Sequence, residues 1–256
     1  MSTVRMKNIN DNFFDGHYKD VWRTLIPEAL TKAEVEYLVT EAELKAGDKV
    51  LDLMCGYGRH ALSLARMGIS VTAVDNLIDY VDEIKEIAQN EQLPIAAFQD
   101  DVMQFQSEDE YDLVICMGNS MSFFNKEESE KIFSGIRSSL KEKGKFVFNS
   151  WMISEIVVKQ FKENFWTTVG DIKCLYNGRY LFSPTRIETD SIFIAPDGSA
   201  ETKHAVDYIY SLNETEAMLN KSGLTIKNTW SIPGKKQFAL GEPRIYIVAE
   251  NDELKE

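Results

Sequence analysis

Between residues 49 and 150 the chain switches regularly between two spacings of apolar residues. Short apolar, β-branched runs at 49–54, 69–75, 94–98, 111–117 and 145–149 read as strands. The stretches at 58–67, 77–90 and 127–141 read as helices, with Ile84, Ile87 and Ala88 inward in the second and Gly144 as a stop after the third. Tyr111-Asp-Leu-Val-Ile-Cys-Met117 is almost continuously apolar, as a strand covered on both faces should be. Strand and helix in strict alternation predict an α/β fold with a parallel, helix-covered sheet.

On either side the rhythm differs. Residues 11–46 read as helices, with Leu25, Leu30, Val35, Leu38 and Val39 on an apolar face and Thr31-Lys-Ala-Glu34 at the spacing of a capping box. From about 166 to 211 there is no helical pattern, only β-rich runs broken by Asn177-Gly178 and Pro196-Asp-Gly198, which read as hairpin turns. A helix at 213–222, closed by Gly223, and strands at 224–230 and 244–250 finish the chain. The expected organisation is a helical cap over 1–46, then an α/β domain over 47–256 with an antiparallel meander inserted at about 166–211.

The end of the first strand carries the chemistry. Residues 50–61 read Val-Leu-Asp-Leu-Met-Cys-Gly-Tyr-Gly-Arg-His-Ala. Two glycines one residue apart let the backbone pass close to a ligand, and the helix after them points free N–H groups at the same place. Asp75 closes the second strand at a distance that suits an acid holding ribose hydroxyls. A nucleoside-containing cofactor follows from this arrangement. Gly56-Tyr-Gly58-Arg-His-Ala61 fits G-x-G-x-x-A, a form of the dinucleotide fingerprint. Asp52 points elsewhere, because a carboxylate beside the turn suits a cofactor bearing an ammonium group and a sulfonium charge.

Asp52-Leu-Met-Cys-Gly56-Tyr-Gly58 resembles the first motif of the class I S-adenosylmethionine-dependent methyltransferases, acid-x-G-x-G-x-G, with Met54 in place of the first glycine. The Cys-Gly-x-Gly-Arg-His form is similar to a subgroup acting on small molecules. The resemblance covers roughly 45–150 and 211–250 and implies a Rossmann-like, doubly wound sheet with an antiparallel C-terminal strand. It implies that the backbone of Cys55, Gly56 and Gly58 cradles S-adenosylmethionine, that Asp75 with Asn76 holds its ribose, and that Asp101 and Val102 meet its adenine. Met117, at the end of the fourth strand, would face its amino group, and Arg59 would pair with its carboxylate or brace Asp52. Tyr18, on the N-terminal segment, would cover it. Trp22, Asn119, Trp151, His204 and Tyr208 are the candidate acceptor-binding residues. No catalytic residue can be assigned: an amine or thiol acceptor that is already deprotonated needs no base, whereas a hydroxyl or carbon acceptor would. His204, His17 and Tyr18 are the side chains to test. The fourth strand ends without Asn-Pro-Pro-aromatic, which counts against methylation of bases or glutamine.

Composition narrows the field. The net charge of −13 disfavours a nucleic-acid partner. Three widely spaced cysteines, Cys55, Cys116 and Cys174, without a metal-ligand cluster suggest reduced thiols, and with no apolar signal core the expectation is a cytoplasmic protein. No run approaches the length of a membrane span. The expected activity is methyl transfer from S-adenosylmethionine to a small molecule, by a monomer or homodimer. A nicotinamide-dependent oxidoreductase and a non-catalytic S-adenosylmethionine-binding module are the alternatives.

Overall fold

The structure, a computed structural model, describes residues 8–107 and 110–251. The elements in chain order are α1 (His17–Leu25), α2 (Glu28–Glu41), β1 (Lys49–Leu53), α3 (Arg59–Ala65), β2 (Ser70–Asp75), α4 (Ile78–Glu91), β3 (Ile95–Gln99), β4 (Tyr111–Cys116), α5 (Lys126–Ser139), β5 (Leu140–Ser150), α6 (Ser154–Gln160), β6 (Asn164–Val169), β7 (Ile172–Phe182), β8 (Thr185–Ile194), β9 (Ala200–Tyr208), α7 (Leu212–Lys221), β10 (Leu224–Ile232), β11 (Lys236–Gln237) and β12 (Ile245–Asn251).

The chain divides into two compact units. The larger takes residues 28–159 and those from 210 onward, and its strands run in the order β11-β10-β12-β5-β4-β1-β2-β3. β1 to β5 are parallel, and β12 enters antiparallel beside β5 with Ile245 opposite Ser150. β12 in turn pairs antiparallel with β10. One apolar core lies on each face of the sheet. Phe133, Ile136, Met218 and Leu219 of α5 and α7 cover one, and Leu38, Leu64, Val81 and Ile84 of α2, α3 and α4 cover the other. This is the helix-covered parallel sheet expected from the alternation, doubly wound as the resemblance implies, and it puts the loops after β1, β2, β3 and β4 at one edge, where open α/β sheets bind ligands. α5 and α7 start at true capping boxes, Asn125 with Glu128 and Ser211 with Glu214.

The smaller unit takes the residues up to 27 together with 160–209. Its sheet is a meander in the order β6-β7-β8-β9. Phe13, Val21, Val169, Cys174, Phe193 and Ala205 form its core. Asn10 extends the sheet at β9 as a strand would, donating from Nδ2 to the Val206 carbonyl at 3.0 Å and accepting the Val206 N–H at 2.8 Å.

Several expectations are corrected. α2, grouped by sequence with the N-terminal cap, belongs to the larger unit, and residues 1–7 of that cap lie outside the described residues. Thr31 and Glu34 do not form a capping box, because α2 begins three residues earlier, at Glu28, and both side chains are buried in its inner face. Asn177-Gly178 is no turn but mid-strand in β7, opposite Asp190 and Thr189. Pairing on both sides of β7 overrides the local turn preference. Gly144 does not stop α5; it lies within β5, where a Cβ would sit 2.9 Å from the Lys141 carbonyl. Pro196-Asp-Gly198 is a turn as expected, closed by the Gly198 N–H on the Ala195 carbonyl.

Candidate functional site

The loop after β1 takes three residues through the left-handed region: Met54 (φ 54°), Gly56 (φ 55°) and Gly58 (φ 75°). Met54 therefore adopts a conformation that costs an ordinary residue ~1–2 kcal/mol, while its side chain packs partly into the core beside α5. The two glycines serve different ends. A Cβ on Gly58 would lie 2.7 Å from Ile84 Cγ1, so this glycine lets α3 pack down on α4. A Cβ on Gly56 would meet nothing within 4 Å and project into open space over the loop. Gly58→Ala should therefore cost about 2–3 kcal/mol in a denaturant titration, from strained φ plus overpacking. Gly56→Ala should cost only about 1 kcal/mol of strain and show its effect in ligand binding instead.

Asp52 stands in β1 opposite Ala73 and Ile115, almost fully buried, and its Oδ2 has no hydrogen-bond partner. Burial pushes its pKa up to about 7, with Asp75 adding to the rise and the Arg59 guanidinium and Ala61 N–H opposing it. A buried carboxylate oxygen left without a partner, on the strand that leads into a loop with an open glycine, suits a cation from outside the chain, as a sulfonium or ammonium group would supply. The residues present fit that kind of cofactor.

Asp75 closes β2 with both oxygens in use. Oδ2 accepts the Gly56 N–H at 2.8 Å and Oδ1 the Leu77 N–H at 2.9 Å. It thus ties the glycine loop to the segment entering α4, and burial raises its pKa despite those amides. Asn76 follows it, its carbonyl accepting from the Gln99 side chain. Asp101 accepts the Met103 N–H at 3.0 Å and opens a tight turn that packs Val102 against the core. Cys55 reaches β2 through its N–H on the Val74 carbonyl, and Asp75 and Asp52 add to the burial that keeps its thiol protonated. Met117 is buried at the end of β4. Asp52, Cys55, Gly56, Gly58, Asp75, Asn76, Asp101, Val102 and Met117 all lie on the loops or strand ends of this one edge.

Arg59 opens α3, where a cation opposes the helix dipole. Its guanidinium is met by Glu34, with Nη1 2.5 Å from Glu34 Oε2 and 3.1 Å from Thr31 Oγ1. His60 Nε2 lies 3.0 Å from the same oxygen, and the Tyr246 hydroxyl donates to Glu34 Oε1 at 2.7 Å. Burial alone would raise the Glu34 pKa, but His60, Arg59 and Tyr246 together hold it at about 2. Burial and Arg59 push His60 down, so at neutral pH it is uncharged, and its Nε2–H is assigned from its partner. Arg244 Nη1 donates to the Tyr246 hydroxyl at 3.1 Å, and its guanidinium lies 6.0 Å from the Trp151 ring centre. Glu34, Tyr246 and Arg244 were not anticipated. The available signal was an acid on an inward stripe, since Thr31, Glu34, Val35 and Leu38 share one face of α2.

The loop after β4 is pinned from inside. Asn149 Oδ1 accepts the N–H groups of Gly118 (2.8 Å) and Asn119 (3.2 Å). Asn119 Oδ1 accepts the Ser150 hydroxyl at 2.8 Å and the Trp151 N–H at 3.0 Å, and its Nδ2 donates to Ser122. Asn119 thereby shapes this turn. Trp151 remains half-buried at the end of β5.

Tyr18, Trp22, His204, Tyr208 and His17 belong to the smaller unit. Tyr18 stacks on Trp22 with ring centres 6.3 Å apart and leans on Phe13 and Phe193. His204 Nδ1 meets Asp190 Oδ1 at 2.8 Å on the meander surface, two positions before Val206 and four before Tyr208 on β9. His17 Nε2 lies 3.4 Å from the Ser199 hydroxyl.

Residues 50–144 match the family model of a methyltransferase domain. The glycine/sarcosine N-methyltransferase of Aphanothece halophytica is 25% identical over 163 residues, 62% of this chain and 62% of that protein. The match thus spans under two thirds of that relative's length. An S-adenosylmethionine-dependent methyltransferase structure from Clostridium acetobutylicum superposes with a TM-score of 0.80 at 19% identity, over 94% of this chain and 99% of that one. CalS10 from Micromonospora echinaspora, an amino pentose methyltransferase solved with S-adenosylmethionine bound, gives 0.69 at 14% identity, over 94% and 98%. Residues 50–144 of the larger unit thus carry a methyltransferase domain, on a fold shared with S-adenosylmethionine-dependent methyltransferases.

Proposed function

We propose that the chain transfers the methyl group of S-adenosylmethionine to the nitrogen of a small-molecule amine. The observation that carries this reading is the orphaned Asp52 oxygen in β1, four residues ahead of Gly56, whose Cβ position is open. In this reading Asp52 supplies the negative field for the cationic donor, and the loop backbone from Cys55 to Gly58 lies against it. Asp75 and Asn76 hold the ribose, and Asp101 with Val102 meets the adenine. Arg59 keeps Asp52 in check from the start of α3, and Met117 closes the floor. Trp151 lines the acceptor side. The donor, once bound, supplies an activated methyl group. The protein orients the acceptor, excludes water and needs no strong base for an amine that arrives deprotonated. Nitrogen is favoured by the names of the glycine/sarcosine N-methyltransferase and of the amino pentose enzyme. We place the chain with the small-molecule enzymes whose loop reads Cys-Gly-x-Gly-Arg-His, acting in the cytoplasm as a monomer or homodimer.

Titration calorimetry with S-adenosylmethionine, S-adenosylhomocysteine and NADH tests the donor. Binding of the first two and not the third is expected, and the reverse would discard the reading. Release of S-adenosylhomocysteine in a screen of amines, hydroxyls and thiols tests the acceptor; turnover with hydroxyls alone would overturn the nitrogen assignment.

A further inference from the structure

At the edge of the sheet where the donor is placed, the side chains are acidic: Asp52 is the last but one residue of β1, Asp75 ends β2, and Asp100 and Asp101 follow β3. Arg59 is already matched by Glu34. Arg244 is different. It immediately precedes β12, whose first residue pairs with Ser150, so it stands at this same edge beside Trp151. Among the described residues its guanidinium has the Tyr246 hydroxyl and the Trp151 ring for company and no carboxylate within salt-bridge distance. It is only half-buried, and Nη1 alone is used by Tyr246.

Arg244 is also held. Tyr246 fixes one nitrogen, and Tyr246 is itself fixed by Glu34, which holds Arg59 and His60 at the start of α3. A continuous set of hydrogen bonds therefore sets this arginine relative to the glycine loop. A guanidinium oriented in advance, with donors left over and an aromatic face beside it, is suited to a planar anion taken by two parallel hydrogen bonds. One arginine amid this many acids favours a monoanion over a phosphate, because a dianion would face the acidic edge with a single compensating charge.

We propose that Arg244 binds a carboxylate of the methyl acceptor, so that the substrate is a small amine that also carries a carboxylate. This rests on the methyl-transfer reading above and narrows it.

The test offers the intact protein three acceptor pairs with S-adenosylmethionine: sarcosine with dimethylamine, β-alanine with ethylamine, and 4-aminobenzoate with aniline. S-adenosylhomocysteine release gives kcat/KM for each. At least one carboxylated amine should exceed its partner by tenfold or more. Arg244→Gln, which keeps a donor for Tyr246, should bring that ratio near one by raising KM, and Arg244→Lys should restore part of it. The affinity for S-adenosylmethionine, read by calorimetry, should stay within about twofold. A ratio unchanged in Arg244→Gln, or no preference in the unaltered protein, overturns the proposal. So does a tenfold loss of S-adenosylmethionine affinity, which would assign the arginine to the donor's own carboxylate. Calorimetric titration of 4-aminobenzoate and aniline needs no turnover. Preferential, Arg244-dependent binding of 4-aminobenzoate in a protein that fails to bind S-adenosylmethionine would sink the methyl-transfer reading while leaving the carboxylate site standing; equal binding of the two would sink the site alone.

Discussion

Glu34→Ala should lower the unfolding free energy by about 3–5 kcal/mol at pH 7, the range for removing one partner of a buried ion pair. The substitution strips Arg59 of its counter-charge, leaves His60 Nε2 and the Tyr246 hydroxyl without their acceptor, and opens a hole in α2. The pH dependence distinguishes this from a simple cavity. Glu34 is held at about 2 in the folded chain, below an ordinary glutamate near 4.5. Its charge thus contributes stability that is fully present above the ordinary value and lost as pH falls through the folded one. The gap between the two proteins, measured by urea unfolding, should be widest near neutrality and narrow between about pH 4 and pH 2. A constant gap across that range would assign the loss to packing.

Asp52→Asn should weaken S-adenosylmethionine binding about 100-fold at pH 8, because a unit charge about 5 Å from a cation at an effective dielectric near 20 is worth about 3 kcal/mol. Without ligand the same change should stabilise the protein. The Asp52 pKa is raised to about 7, so the folded state resists ionising it while the unfolded chain ionises it near 4. The penalty is absent below the unfolded value, grows as pH rises, and levels off above the folded one. The variant's advantage in unfolding free energy should therefore grow between about pH 4 and pH 7 and then flatten. Donor binding to the unaltered protein should tighten with pH through the same window and release a proton. Calorimetry in two buffers of different ionisation enthalpy reads that release, and it should vanish in the variant. The pairing of a binding loss with a stability gain is what a site kept at the expense of fold stability predicts.

The sheet was legible because its strands are short, apolar and evenly spaced, and because burial on both faces removes the need for alternation. The loop after β1 was legible because an acid and two glycines sit at fixed offsets from a strand end. The electrostatics around it were not. Glu34 lies 25 residues upstream of Arg59 and Tyr246 far downstream, so no local pattern joins them. The capping-box spacing at Thr31 and Glu34 was genuine, but a helix that starts at Glu28 turns the same two residues inward. Asn177-Gly178 failed for a related reason: long-range pairing outweighs the strongest local turn signal. The part Asn119 plays in its turn was not legible either, because Ser150 and Trp151 are brought to it from the end of β5, 31 and 32 residues away.

The brace from Glu34 bears on how the chain may be cut. The change of rhythm near residue 47 invites an expression fragment that starts there and keeps the whole glycine loop. Such a fragment would discard α2 and leave Arg59 and His60 facing a void where their acid had been. A working truncation has to begin ahead of Glu28, and a graft of the loop into another scaffold must bring that helix with it.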